Sequence, residues 1–82
     1  MTEEIWIVGS ETDNSLFHRL GKALKHCGYE IGSEWSGVGG SQEISSWKLS
    51  SPKGTLVIES ETFIGLSVQG TKILVQEIKA VF

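Results

Sequence analysis

Apolar residues recur at helical spacing from Leu16 to Cys27, and directly after Gly28 the spacing changes to two. The first segment therefore predicts an amphipathic helix whose apolar stripe packs on a core. Gly28 suits the left-handed residue that ends many helices, and Tyr29 can fold back on Leu24 in a Schellman-type ending. A chain that changes from a helical to a strand period at one glycine is predicted to have mixed α and β structure.

The start of this helix has several candidate caps. Ser10 and Asp13 match the two ends of a capping box, while Thr12 or Asp13 can also serve as the cap alone. Inside the helix, Gly21 costs about 1 kcal/mol relative to alanine. We interpret this glycine as a close approach between the helix backbone and a neighbouring element.

Five short runs predict strands. The first, at positions 5–8, ends at Gly9, and because both of its faces are apolar we expect it to be central in its sheet. The second starts at Tyr29, and its period of two predicts that one face carries Tyr29, Ile31, Ser33 and Trp35. The remaining runs cover positions 45–49, 55–60 and 63–68.

The connections between the later runs indicate a meander. Pro52 and Gly54 occupy turn positions between the third and fourth runs, so these strands should be antiparallel. Positions 72–82 fit helical spacing with Thr71 as the cap. Gln69-Gly70 can instead be a hairpin turn into a sixth strand. We favour the helix.

These elements predict one α+β domain that covers residues 1–82, since 82 residues leave too little core for a second domain. We expect a small antiparallel-rich sheet of about five strands, in the order β-α-β-β-β-β-α, with one or two helices packed on one face.

The composition of the chain disfavours several classes of function. Ten acidic residues against seven basic ones give a net charge of −3, which opposes a non-specific hold on nucleic acid or anionic lipid. The start of the chain lacks the basic and apolar regions of a secretory signal, and no apolar run approaches the roughly 20 residues of a membrane span. Because Cys27 has no second cysteine to pair with, we expect a cytoplasmic protein that does not enter a membrane.

The most unusual segment is GSEWSGVGGSQEISSW, positions 32–47, which combines glycine and serine with two of the three tryptophans. We expect a long connection between two strands, each ending in a tryptophan. It does not match a phosphate-binding loop, because it lacks the lysine and the following helix of that motif. The candidate interaction residues in this segment are Trp35, Gly37, Gly39, Gly40 and Trp47.

The placement of the three tryptophans decides what this segment can do. A sheet covered by helices on one side leaves its other face open, and a tryptophan there would be a natural binding hot spot. Because this domain has few apolar residues, we favour an arrangement that buries Trp6, Trp35 and Trp47 in the core or under the connection.

The first helix offers a second candidate surface. Its polar side carries Arg19, Lys22 and Lys25, with His18 and His26 beside them, a pattern that can follow a nucleic-acid backbone. An amphipathic helix must expose polar residues in any case, so an ordinary solvated face accounts for the same pattern.

The sequence contains few residues that could carry out catalysis or bind a metal. The two histidines lie on the exposed side of one helix, the single aspartate is a cap candidate, and no cluster has the spacing of metal ligands. We therefore expect no catalytic residue, metal or cofactor, and the sequence gives little support for an enzyme.

The leading hypothesis is a non-catalytic protein-interaction module that uses the tryptophan-flanked segment or a free sheet edge. Its partner would be another protein, or a second copy through edge-strand pairing. The alternatives are a nucleic-acid-associated module that acts through the first helix, although nucleic acid is the less favoured partner, and a ligand-binding or catalytic pocket beside the glycine-rich segment.

Overall fold

The computed structural model describes residues 3–10, 12–39, 42–62 and 64–82. Their five strands form one antiparallel sheet in the order β1-β5-β4-β3-β2, which confirms the predicted α+β class. The elements are β1 (Glu3–Gly9), α1 (Asn14–His26), β2 (Glu30–Gly39), β3 (Gln42–Ser51), β4 (Gly54–Glu61), β5 (Gly65–Thr71) and α2 (Lys72–Val81).

Both helices pack on one side of the sheet, which we call the helix face. Here the inward residues of β4 and β5, among them Leu56 and Val68, meet Leu20 of α1 and Val75 and Ile78 of α2, and all five are buried. The opposite side, which we call the open face, carries the alternate residues of each strand. The hydrophobic core therefore lies between the helix face of the sheet and the two helices.

Specific capping interactions fix both ends of α1. Of the three candidate caps, Asp13 is the one used, and its carboxylate accepts hydrogen bonds from the backbone N–H groups of Ser15 and Leu16 at 3.0 and 3.3 Å. At the other end Gly28 has a φ of 85°, and the Tyr29 N–H donates to the Leu24 carbonyl at 3.0 Å. This is the predicted Schellman-type ending.

A β-bulge at Gly32 changes the face on which β2 places its side chains. Ile31 pairs with Leu49, but Ser33 pairs with Lys48, so two steps along β2 match one step along β3. Because a strand alternates faces with a period of two, one extra residue reverses every side chain beyond it. Tyr29 and Ile31 therefore lie on the helix face, and the expectation that Ser33 and Trp35 share it is wrong.

The 32–47 segment is a hairpin and not a long loop. β2 and β3 remain paired up to Gly39 and Gln42, so regular strand pairing runs through most of the glycine- and serine-rich stretch. The prediction of a long connection that starts after Trp35 is wrong for the part of the segment that the structure describes. Gly40 lies outside the described residues.

Three smaller expectations also need correction. β1 is an edge strand and not a central one, and its outward residues Ile5 and Ile7 are 64% and 52% exposed. A side chain added at Gly21 would meet nothing within 4 Å, so no close neighbour explains this glycine. β5 continues to Thr71, beyond its predicted end, while the predicted start of that strand at position 63 lies outside the described residues.

The last element is the helix that we favoured, with Thr71 as its N-cap residue, and the alternative of a sixth strand is wrong.

Two side-chain contacts hold α2 against the sheet. Trp6 of β1 packs edge-on against Phe82 at the end of this helix, with 5.2 Å between ring centroids. In the turn before β4, Lys53 donates to Glu77 of α2 at 2.6 Å, and this bond raises the pKa of Lys53.

Neither helix is long and apolar enough to cross a lipid bilayer, a finding that covers only the described residues.

Two glycines of the α1 segment should respond to alanine in opposite directions. Gly28→Ala places a side chain at a positive φ and should lower the free energy of unfolding by about 1 kcal/mol. Gly21→Ala adds a methyl group in open space inside the helix and should raise it by about 1 kcal/mol. Urea denaturation of the two variants tests this contrast, and equal signs would contradict it.

The Asp13 cap should make stability depend on pH in the acid range. The Ser15 hydroxyl and the backbone N–H of Leu16 hold the pKa of Asp13 below its usual value in the folded state. Since the folded pKa is the lower one, the stabilisation is complete above the unfolded pKa and is lost as the pH falls through the folded pKa.

Asp13→Asn keeps an acceptor at the cap but cannot titrate. We expect the wild type to be more stable than this variant at about pH 6 and to have lost part of that advantage at about pH 3, below the usual aspartate pKa of about 3.9. A difference in unfolding free energy that stays constant between these two pH values would contradict the assignment.

Candidate functional site

Trp35 is the exposed tryptophan of the described chain. It lies on the open face of edge strand β2 opposite Ser46, and 59% of its surface is accessible. Its indole lies along the strand over Gly37, where a Cβ atom would come within 2.9 Å of the ring. A large side chain at position 37 would collide with this ring, so the glycine allows Trp35 to lie flat against its own strand.

The other two tryptophans are partly buried against the core. Trp47 lies on the helix face of β3 and meets Phe17 of α1 edge-on, with 5.5 Å between ring centroids. Trp6 packs edge-on against Phe82 on the same face, near the opposite edge of the sheet. The arrangement with three buried tryptophans is therefore wrong, because Trp35 is exposed and the other two are only partly buried.

The five candidate residues of the hairpin do not form one surface. Trp35 and Gly37 lie together on the open face of β2, while Trp47 faces the helices. Gly39 is the last residue of β2, paired with Gln42, and Gly40 is outside the described residues. The part of the predicted site that the structure brings together is Trp35 on Gly37.

β2 is a free edge of the sheet. It pairs with β3 on one side, and its other side has no neighbouring strand among the described residues. Beyond the bulge its pairing with β3 is regular from Ser33 to Gly39. An edge of this length presents a row of backbone N–H and C=O groups that an added strand can use.

Acidic residues mark this edge. β2 contains Glu30 and Glu34 and no basic residue. Glu34 pairs with Trp47 on the helix face, whereas Glu30 precedes the bulge and pairs with Ser50 on the open face. Both sides of the edge are therefore negatively charged.

An apolar cavity of about 550 Å³ lies on the helix face between α1 and the β2–β3 hairpin. Its walls include Phe17, Leu24, Ile31, Trp47 and Leu49. Ile31 is 64% exposed, so the cavity opens to solvent beside the β2 edge. Sequence reasoning missed this space because it depends on how far α1 stands from the sheet, which no pattern of residues reports.

The basic residues of α1 have different surroundings. The Arg19 guanidinium lies 4.2 Å from the centroid of the Phe82 ring and donates to the Phe82 carbonyl at 3.0 Å. Lys22 lies beside it, in a smaller depression of about 300 Å³ between the ends of the two helices. Lys25 follows Lys22 by three residues, so it is a neighbour of Lys22 on the helix surface, and it also borders the apolar cavity.

The centre of the open face is polar. Gln69 of β5 donates to Glu59 of β4, and Ser67 beside them is buried. Among the residues that the structure describes, no three histidine, cysteine or carboxylate side chains come together as metal ligands. The candidate site therefore consists of the β2 edge with Trp35 and the adjoining apolar cavity.

Comparison with known proteins gives no match, since no protein family, no curated protein and no solved structure is significantly similar to this chain. The class defined by fold and site is a two-layer α+β domain with an exposed tryptophan on an acidic edge strand.

Removing Trp35 should reduce the quenching of tryptophan fluorescence by acrylamide more than removing Trp47. Trp6 and Trp47 are partly buried against the core, so Trp35 exposes more of its ring to a neutral quencher than either of them. We expect Trp35→Phe to reduce the quenched fraction sharply and Trp47→Phe to leave it high. If Trp35→Phe leaves the quenching unchanged, the indole is not exposed.

Proposed function

We propose that this protein is a non-catalytic interaction module that binds an extended, basic segment of another protein along β2. The observation that carries this proposal is the exposure of Trp35 on the open face of a free edge strand. Tryptophan is among the residues most enriched at binding hot spots, where its large ring combines apolar area with a polar N–H group.

Strand addition would supply the backbone part of the interaction. A partner segment in the extended conformation can bond to the outer N–H and C=O groups of β2, which extends the sheet by one strand. The regular stretch from Ser33 to Gly39 matches the length of an ordinary strand. Main-chain bonds of this kind supply affinity, while side chains on the two faces supply specificity.

Trp35 and Ile31 offer contacts on the two sides of such a segment. Side chains of the added strand alternate between faces, so one set would lie beside Trp35 on the open face. The other set would lie on the helix face, where exposed Ile31 borders the apolar cavity. We therefore expect apolar residues in the partner near both positions.

The charge of β2 favours a basic partner. Glu30 and Glu34 attract lysine or arginine on an approaching strand and increase its rate of association. Pairing between two copies of β2 would instead join two acidic edges, without the attraction that a basic strand supplies. Another protein is therefore a better partner than a second copy.

The nucleic-acid alternative has less support. Arg19 is engaged with Phe82, which leaves Lys22 and Lys25 as the remaining lysines of that helix face. A nucleic-acid surface needs several free cations on one face, and the net charge of −3 acts against it.

Selection from a display library of linear peptides with about eight randomised residues, the length of a strand, tests the proposal. We expect the enriched peptides to alternate apolar with basic residues. Trp35→Ala should weaken their binding at least about 30-fold, which corresponds to the ~2 kcal/mol of a hot spot. Glu34→Lys should weaken it about tenfold and reduce its dependence on salt.

Ile5→Ala is the matched control, because Ile5 is also an exposed residue on the open face of an edge strand. It should leave peptide affinity unchanged, and Trp35→Ala should keep the free energy of unfolding within about 1 kcal/mol of the wild type. The proposal fails if no peptide is enriched, if the enriched peptides are acidic, or if Ile5→Ala weakens binding while Trp35→Ala does not.

A further inference from the structure

Building on the proposed function, on which this inference rests, we infer that the segment bound along β2 carries a large apolar residue and a basic residue two positions apart. The apolar side chain enters the cavity under α1, and the basic side chain pairs with Glu34. Two observations lead to this pattern: the cavity opens beside the β2 edge, and a carboxylate lies on the helix face of the same strand.

The cavity lies where one side chain of an added strand would point. An added strand lies about 4.8 Å from its neighbour and directs alternate side chains to each face of the sheet. Ile31 is exposed on the helix face of β2 and borders the cavity. A partner residue opposite Ile31 on that face would therefore have its side chain at the mouth of the cavity.

The α1 side of the cavity leaves room for that side chain. Phe17, Gly21 and Lys25 follow one another at intervals of four residues along this wall. A Cβ atom at Gly21 would meet nothing within 4 Å, so the middle of the wall is open. The volume of about 550 Å³ is within the range of pockets that hold whole small molecules, so it accommodates a large aromatic or aliphatic side chain.

Glu34 determines which residue the same face accepts next to the apolar one. It pairs with Trp47, so it lies on the side of the sheet that packs on the core, where acidic residues are uncommon. Glu34 is exposed, and it forms no ion pair with the residues that the structure describes. An apolar side chain placed beside this carboxylate would remove part of its hydration, whereas lysine or arginine would supply an opposite charge.

The pairing of β2 with β3 gives the spacing of the two partner residues. Ile31 pairs with Leu49 and Glu34 pairs with Trp47, so the bulge at Gly32 places both β2 positions on one face, opposite β3 residues that are two apart. A partner strand in the same register would likewise carry the two matching residues two positions apart. The basic residue follows the apolar one in a parallel partner and precedes it in an antiparallel one.

The edge strands of a second copy do not meet this requirement. β1 and β2 are the edges of the sheet, and neither contains a basic residue. Inward-pointing charges are one of the means by which edge strands avoid unwanted pairing. Glu34 therefore disfavours strands that lack a basic residue at the matching position, including those of this protein, and accepts strands that have one.

Threonine-rich synthetic peptides of about eight residues, each with one phenylalanine and one lysine, test the spacing. The two residues stand either two or three positions apart, in both orders, and amide NMR titration gives the affinities. In one of the two orders, spacing two should bind at least about tenfold more tightly than spacing three, which places the residues on opposite faces. Alanine in place of phenylalanine should weaken binding about tenfold.

An exchange of charges tests the contact with Glu34. Glu34→Lys should bind the lysine peptide about tenfold more weakly and should prefer a peptide with glutamate in place of lysine, because the substitution replaces an attraction by a repulsion. Glu30→Lys is the matched control, since Glu30 is an exposed acid of the same strand on the open face. It should leave the preference for lysine over glutamate in place.

A substitution in the cavity wall tests the apolar contact. Gly21→Leu should weaken binding of the phenylalanine peptide at least about tenfold and leave the alanine peptide unaffected. His18→Leu, at an exposed position of α1 that does not border the cavity, should affect neither peptide. Urea denaturation should show that both variants remain folded.

The outcomes separate this inference from the proposed function. If neither a random library nor these peptides bind, the proposed function fails and the inference fails with it. If peptides bind along β2 but spacing two and spacing three are equivalent, or Gly21→Leu and Glu34→Lys change no preference, only the inference is wrong. A dimer that the peptides dissociate would assign the edge to a second copy and would also overturn it.

Discussion

The β-bulge at Gly32 determines which side chains of β2 lie on each face of the sheet. Before it, β2 directs Tyr29 and Ile31 to the helix face, and after it the same alternation places Trp35 on the open face. Without the extra residue, Trp35 would point toward the helices, and Glu34 would point away from them. One inserted residue thus exposes the largest side chain of the strand and leaves the helix face beside Ile31 open.

The cavity and the free edge have a common origin in how two short helices cover five strands. α2 contacts β1, β4 and β5, so the sheet is well covered on that side. Only α1 lies over the β2–β3 hairpin, and it stands far enough away to leave the cavity beneath it. The buried core is concentrated in β4 and β5, with Leu56, Leu66 and Val68 almost inaccessible to solvent. The less covered half of the sheet therefore contains both candidate binding features.

The sequence predicts the helices and strands of this fold better than it predicts which elements lie next to each other in the folded structure. The amphipathic pattern of α1 and Gly28 at its end predict local structure correctly, because capping and periodicity act between neighbouring residues. The position of β1 in the sheet depends on pairing with β5, far along the chain, and the apolar faces of Ile5 and Ile7 gave a wrong central placement. Gly32 inside an alternating strand is a recognised sign of a bulge and could have predicted the reversal at Trp35. The apolar cavity under α1 has no counterpart in any sequence pattern, since it results from the distance between the helix and the sheet.

The charges of this protein are distributed unevenly between the edge strands and the rest of the fold. β1 and β2, the two edge strands, contain Glu3, Glu4, Glu30 and Glu34 and no basic residue. The seven basic residues all lie on the helices, on β3 or in the turn that follows it. Pairing between the edges of two copies, in any combination, would therefore join two strands that carry acidic charge and no basic charge to balance it. The same carboxylates would attract a basic strand, which is why we propose a basic partner.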